Sequence, residues 1–223
     1  MRKTPLKRFL TRLIYGVTYE KNFSNGFLSA IRPNDVVWDI GANVGFYSNL
    51  IASKLNSDGV VIAIEPLYIN FALLESQVFG DNKIKCFNFG IAAQNETLTM
   101  KIGDGPTHAT SAVTFSAKNE PSGFESDIIM YSADYLVKNQ ILPAPNAIKI
   151  DVEGFELNVF HGMKEILASK YLSLIAVEVH FELLEKFGFN NGPKQIENLL
   201  KANGYKVTWT DLSHLIAQRS RFS

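Results

Sequence analysis

Apolar positions along this chain follow two periods that take turns. Residues 36–40 and 60–64 are short, nearly continuous apolar runs rich in β-branched side chains, the composition of strands covered on both faces. Similar runs recur at 84–90, 147–150 and 172–180. Between them, residues 47–52, 67–79, 157–163 and 193–203 carry apolar side chains at helical spacing, and Asn203-Gly204 closes the last of these. Strands alternating with helices in this way predict parallel βαβ units and a doubly wound α/β fold. Two final runs, 205–210 and 215–218, predict a terminal strand pair. One stretch breaks the alternation. Leu98, Met100 and Ile102 occupy every second position, and with residues 111–115 they predict a hairpin insertion. The glycine-containing segment 103–108 reads as a flexible loop and candidate substrate lid, polar residues 117–127 as a surface loop, and 132–139 as a helix.

Upstream of the first strand, Leu6, Leu10, Leu13, Ile14 and Val17 form an apolar stripe with Lys7, Arg8 and Arg12 largely on other faces, so residues 5–17 predict a basic amphipathic helix. Asn25-Gly26 and Pro33-Asn34-Asp35 predict turns leading into the first strand. The chain therefore divides into a lead-in, 1–35, and one α/β domain, 36–223, a length that a single core supports. Net charge is zero, which gives no global field favouring nucleic acid. The charge is uneven, however. Residues 1–21 hold six basic groups against Glu20, leaving 16 basic and 21 acidic groups in the remainder. The basic helix either packs its stripe on the domain or meets an anionic membrane surface or a lipid-linked substrate. A lone cysteine, Cys86, forms no internal disulfide and suits a reducing compartment. No run approaches the ~18 apolar residues of a membrane span, and basic residues interrupt any secretory h-region, so the expected location is cytoplasmic, with the inner membrane surface as the peripheral alternative.

Candidate chemistry begins where the first strand ends. Asp39-Ile40-Gly41-Ala42-Asn43-Val44-Gly45-Phe46 is a strand end and a glycine turn that opens a helix, a place for a ligand to approach main-chain N–H groups. Its spacing is G-x-x-x-G, not the dinucleotide G-x-G-x-x-G, and an acid beside the turn repels a pyrophosphate. Phe46-Tyr47 stands where a phosphate loop needs Lys and Ser or Thr. S-adenosylmethionine carries an ammonium and a sulfonium and no phosphate, so the same acid attracts it. Glu65-Pro66, at the tip of the second apolar run, is placed to accept hydrogen bonds from ribose hydroxyls. These residues resemble motif I of the class I S-adenosylmethionine-dependent methyltransferases, in the Asp-Ile-Gly-Ala-Asn-x-Gly form typical of the FkbM family.

The second landmark is Ile148-Lys149-Ile150-Asp151-Val152-Glu153-Gly154-Phe155-Glu156. Strand alternation would point Lys149, Asp151 and Glu153 to one face, with two carboxylates converging at a strand end. A helix N-terminus that favours acids explains Glu156 better than Asp151. This string resembles the second FkbM hallmark, and the resemblance spans roughly residues 36–210. It implies a Rossmann-like, seven-stranded, mostly parallel sheet with a terminal antiparallel strand, and methyl transfer to an oxygen of a sugar, glycolipid or secondary metabolite. It also implies a cofactor set of Asp39, Gly41, Ala42, Asn43, Gly45, Phe46, Glu65, Pro66 and Asp151, with Asp39 at the methionine end directly or through water. The place of the family's adenine contact falls at residues 92–95, without the acid that many relatives have there.

Glu178-x-His180 ends the next strand, where a histidine serves as base, metal ligand or polar cap. The candidate bases are Asp151, Glu153 and His180, in that order. Alternatively, Asp151, Glu153, Glu178 and His180 hold a Mg²⁺ ion that acidifies the acceptor hydroxyl. Two other functions fit such a sheet: a nicotinamide-dependent oxidoreductase and a non-catalytic domain that keeps the fold.

Overall fold

The structure is a computed structural model and describes residues 21–102 and 124–220. In chain order its elements are α1 (Lys21–Ala30), β1 (Val36–Ile40), α2 (Phe46–Ala52), β2 (Val60–Ile64), α3 (Tyr68–Gln77), β3 (Ile84–Phe87), β4 (Gly90–Ile91), β5 (Glu96–Ile102), β6 (Phe124–Tyr131), α4 (Ala133–Lys138), β7 (Ala147–Ile150), α5 (Glu156–His161), α6 (Lys164–Ala168), β8 (Leu174–Glu178), α7 (Phe181–Lys186), α8 (Gly192–Ala202), β9 (Lys206–Trp209) and β10 (His214–Gln218). Seven strands form the main sheet in the order β3-β2-β1-β7-β8-β10-β9. The pairs β3-β2, β2-β1, β1-β7 and β7-β8 are parallel, and β10 runs antiparallel to both its neighbours. This is the predicted doubly wound α/β architecture. The chain leaves β1 towards β2 on one side and reaches β7 on the other, so a switch point opens between β1 and β7 at their carboxyl ends.

Strand alternation sends successive residues to opposite faces. Val37, Val61, Ala63, Ala147 and Ala176 face α1, α2 and α3, burying Phe23, Phe27, Ile51 and Leu74. Trp38, Ile62, Ile148 and Ile175 face the other layer, where α5, α6 and α8 supply Leu157, Phe160, Ile166 and Leu200. Asp39 and Lys149 share the face of Val37 and Ala147, which is otherwise lined by small residues. Two polar side chains are therefore set beneath α2.

Three local expectations change. Asn25-Gly26 is not a turn but lies inside α1, because Phe23 and Phe27, one helical turn apart, are both fully buried against the sheet. Gly26 permits the approach: a Cβ there would stand 2.7 Å from Ile216 Cδ1. Second, β5 pairs antiparallel with β6, in register from Glu96↔Met130 to Ile102↔Phe124, so part of the stretch expected to be a loop is a strand in a separate three-stranded sheet. Third, β8 is shorter than expected and ends at Glu178. The amphipathic helix of residues 5–17, the loop 103–108 and the run 111–115 lie outside the described residues. Among the described residues, no helix is long and apolar enough to cross a membrane.

Emptying the site of Phe27 tests whether α1 is integral. Phe27→Ala should lower the unfolding free energy in urea by about 3–5 kcal/mol, the range for a fully buried aromatic. A loss under about 1 kcal/mol would detach α1 from the core.

Candidate active site

Parallel register brings four chain segments to one edge. Ile40 pairs with Ile64 and Ile150, and Ile150 with Val177, so Gly41, Glu65, Asp151 and Glu178 all emerge at the carboxyl ends of adjacent strands. Gly41 and Ala42 both donate their N–H to Ile64 O at 3.0 Å, which folds the loop across β2. Only glycine fits at position 41: φ is +80°, and a Cβ would lie 1.9 Å from the Asp151 carbonyl oxygen. Gly45, with φ +88°, opens α2 and lies so close to α3 that a Cβ would stand 2.7 Å from Leu74 Cδ1.

Glu65 staples this loop from the neighbouring strand. Asn43 N–H donates to Oε2 and Leu67 N–H to Oε1, both at 3.0 Å. Burial pushes the carboxyl up from 4.5 to about 7, against the pull of those N–H groups and the Asn70 side chain; Asp39 adds to the rise. Pro66 is held by the Asn88 side chain, which donates to the carbonyls of Glu65 and Pro66 at 3.0 Å.

Beneath the loop lies a buried ion cluster. Lys149 Nζ stands 3.6 Å from Asp39 Oδ1 and 3.3 Å from Asp151 Oδ2, and 4.6 Å over the Tyr47 ring. Burial disfavours the ammonium, but Asp151 and Asp39 more than offset it and hold its pKa above the usual value. Ser48 Oγ donates to Asp39 Oδ2 at 2.7 Å, whereas Asp39 Oδ1 is buried without a hydrogen-bond partner. Asp39 is wholly inaccessible. Asp39, expected at a ligand's methionine end directly or through water, is covered by the loop, and its side chain engages Lys149 and Ser48.

The far side of the edge is built on His180. Its Nδ1–H donates to Glu156 Oε1 at 2.7 Å, and Glu156, fully buried, also accepts the Gly154 N–H at 3.0 Å. Its Nε2 faces Glu153 Oε2 at 3.4 Å, Glu178 Oε1 at 3.7 Å and Asp151 Oδ1 at 3.9 Å. Burial lowers the imidazole pKa, but Glu156, Glu153 and Glu178 outweigh it and raise it to about 9. Burial pushes the Glu178 carboxyl up, while His214, with Nε2 at 3.4 Å, and His180 bring it down to about 2. His214 is in turn held by Asp211, 2.9 Å from its Nδ1.

A cleft of about 190 Å³ opens between these groups, lined by Gly41, Ala42, Asn43, Val44, Phe46, Tyr47, Lys149, Asp151 and Glu178. Of the expected cofactor residues it gathers Gly41, Ala42, Asn43, Phe46 and Asp151, and of the expected bases Asp151 alone; Glu153 and His180 stand next to Asp151 and Glu178, outside the lining. The route to that convergence differs from strand alternation, because β7 ends at Ile150 and Glu153 sits in a tight turn with φ +50°. Residues 92–95 are occupied structurally: Ala92 is buried, its carbonyl packs against Gly162, and Asn95 Oδ1 accepts the Ser132 N–H. Sequence reasoning missed three roles. Lys149 was visible only as a neighbour of Asp151, Glu156 was explained as a helix-end charge, and His214 arrives from a distant strand with no local signal.

The profile of the methyltransferase FkbM domain matches residues 39–207. The chain belongs to the FkbM methyltransferase family. Over 154 residues, this FkbM domain is 29% identical to the hexuronic acid methyltransferase AglP of Haloferax volcanii, covering 69% of this chain and 59% of that protein. The chain thus spans well under two thirds of the curated relative's length. Among solved structures, methyltransferase FkbM from Methylobacillus flagellatus KT superposes with a TM-score of 0.57 at 16% identity, covering 92% of this chain and 50% of that one. Precorrin-6y C5,15-methyltransferase from Geobacter metallireducens GS-15 gives 0.51 at 15% identity, covering 88% and 87%. At those identities the likeness is one of fold.

Were Glu65 to accept a hydroxyl of the bound ligand, affinity would depend on pH. Its folded pKa is raised to about 7, and hydroxyl donors favour the carboxylate, so binding would then be strong above 7 and weaken below it. Calorimetric affinity for S-adenosylhomocysteine should fall by up to about tenfold per pH unit below 7, and Glu65→Gln should flatten that slope. An equal slope in both proteins would take Glu65 out of the site.

Proposed function

We propose that this protein is an S-adenosylmethionine-dependent O-methyltransferase acting on a hydroxyl of a sugar, a lipid-linked glycan or a glycosylated metabolite. The observation that carries the reading is the sign of the charge around the glycine loop. Asp39, Glu65, Asp151, Glu153 and Glu178 gather there against the cations of Lys149 and His180. Such a cleft draws in a sulfonium and an ammonium and repels a pyrophosphate, which argues against a nicotinamide dinucleotide. Close backbone approach at Gly41 and the Glu65 carboxylate beside Asn43 fit the adenosyl half of that cofactor. The archaeal relative's name supports a sugar acceptor. The basic segment 1–21 supports contact with an anionic membrane surface, where a lipid-linked acceptor would be presented.

The bound cofactor supplies an electrophilic methyl group on a positively charged sulfur. The acceptor oxygen would gain that methyl as the carbon–sulfur bond breaks, with a neutral thioether leaving and the hydroxyl proton passing to a base on the chain. The chain's part is alignment and proton removal. Holding the reactants in line is worth up to about 7–11 kcal/mol of barrier, so no covalent enzyme intermediate is needed. Asp151, on the cleft wall, is the first candidate to take the hydroxyl proton, with Glu153 next to it; Lys149 fixes the Asp151 carboxylate. His180 orders that acidic group rather than acting first, since its Nδ1 is committed to Glu156.

A methyl-transfer assay over hexuronic acids, neutral hexoses and lipid-linked sugars tests the reading, with S-adenosylhomocysteine release as the signal. Asp151→Asn should lower kcat by about 10²–10⁴-fold with cofactor affinity nearly unchanged. Lost cofactor affinity with turnover intact at saturation would instead place Asp151 in the binding shell. Cofactor binding with no turnover on any acceptor would favour a non-catalytic domain.

A further inference from the structure

The His180 ring points into a group of carboxylate oxygens without being hydrogen-bonded to any one of them. From Nε2, the distances are 3.4 Å to Glu153 Oε2, 3.7 Å to Glu178 Oε1 and 3.9 Å to Asp151 Oδ1. An N–H···O bond closes to about 2.7–3.2 Å, so these are too long. Atoms bound to one cation at about 2.0–2.2 Å stand about 3.3–3.6 Å apart in a tetrahedral shell, so Glu178 Oε1 and Asp151 Oδ1 lie slightly wide of His180 Nε2 for a loaded site, and a bound ion would draw them inward. One donor atom each from Asp151, Glu178 and His180 lies within 4.8 Å of the other two.

A second observation lies behind the ring. Glu156 is wholly buried and aimed at His180; Oε1 takes the Nδ1–H at 2.7 Å, while Oε2 has no hydrogen-bond partner among the described residues. A buried carboxylate on Nδ1 is the support that holds a histidine's Nε2 towards a metal, and an ion bound there displaces the Nε2 proton that His180 carries in the ion-free protein. The other donors are held too. His214 Nε2 stands 3.4 Å from Glu178 Oε2, and Lys149 stands 3.3 Å from Asp151 Oδ2, so in each case the opposite oxygen faces His180.

We propose that Asp151, Glu178 and His180 form a divalent-cation site at the acceptor end of the cleft. One imidazole nitrogen with two carboxylates suits Mn²⁺, Fe²⁺ or Zn²⁺ better than Mg²⁺, which prefers all-oxygen shells and keeps its waters. This differs from the alternative raised by the sequence, a Mg²⁺ ion with Glu153 as a fourth ligand, in both ion and donor set. The use of the site rests on the methyl-transfer reading: a cation held there would lower the pKa of the acceptor hydroxyl, and Glu153, outside the donor set, would then take the proton in place of Asp151, which is the base only while the site is empty.

Binding is measured with the metal alone, on tag-free full-length protein stripped with EDTA, without cofactor or acceptor. Mn²⁺ titration followed by electron paramagnetic resonance should show one saturable site per chain, displaced by Zn²⁺ and far less by Mg²⁺. Glu178→Gln and His180→Gln should each weaken Mn²⁺ binding by at least tenfold, and His161→Gln, on an exposed helix end, should not. Far-UV circular dichroism confirms that each variant is folded, and if His180→Gln is not, Glu178→Gln decides. No saturable Mn²⁺ binding, or binding unchanged in the folded variants, overturns the site. Mn²⁺ binding without methyl transfer keeps the site and rejects the reaction; EDTA-resistant methyl transfer without Mn²⁺ binding does the reverse.

Discussion

Lys149 is the charge on which the architecture of the site depends. It is the cross-strand partner of Asp39, on the face of the sheet that α2 covers, and it is almost completely buried. Placing an unpaired charge there costs several kcal/mol even after relaxation, so its ammonium, Asp39 and Asp151 are tolerable only together. The cluster joins β1 to β7, the two strands that part to open the cleft. It reaches α2 through Tyr47 and Ser48, and α1 through the Tyr47 hydroxyl, 2.6 Å from Ser24 Oγ. The glycine loop is seated on this base. Gly41 lies directly against the Asp151 backbone, so any movement of the β7 end would be felt in the loop.

The two ends of the cleft treat a carboxylate differently. Glu65 is buried among neutral donors, and desolvation leaves it poised near 7. Glu178 is also buried but stands between two imidazoles, which hold it near 2. One end thus carries a titratable acceptor suited to hydroxyl groups. The other holds a cluster in which carboxylates outnumber basic groups, suited to a cation. A sulfonium cofactor entering along the loop would lie between them. Membership of the FkbM family and the charge pattern support the same chemistry from independent directions, the first through residues 39–207 and the second through side-chain geometry alone.

Much of this was legible in the chain because the signals are local. Apolar runs located the central strands, and the glycine loop and the Asp-x-Glu-Gly string marked the edge where they end. What escaped was set by tertiary contact. Phe23 and Phe27 override the turn chemistry of Asn25-Gly26 because their burial against the sheet outweighs a local preference. β6 has polar positions suited to a loop, and its pairing with β5 makes it a strand. Asp39 reads as part of the ligand edge in one dimension, and its covering by α2, one step before that edge, is not visible there. Glu156 and His214 gain their roles only through His180 and Glu178, which no spacing along the chain encodes.

The central claim is that a carboxylate-lined glycine loop selects a cationic adenosyl cofactor over a dinucleotide. Parallel calorimetric titration of the wild-type protein at pH 8 with S-adenosylmethionine and with NAD⁺ tests it most directly. The account predicts one S-adenosylmethionine site per chain and no saturable NAD⁺ binding. Saturable NAD⁺ binding with none for S-adenosylmethionine would contradict it.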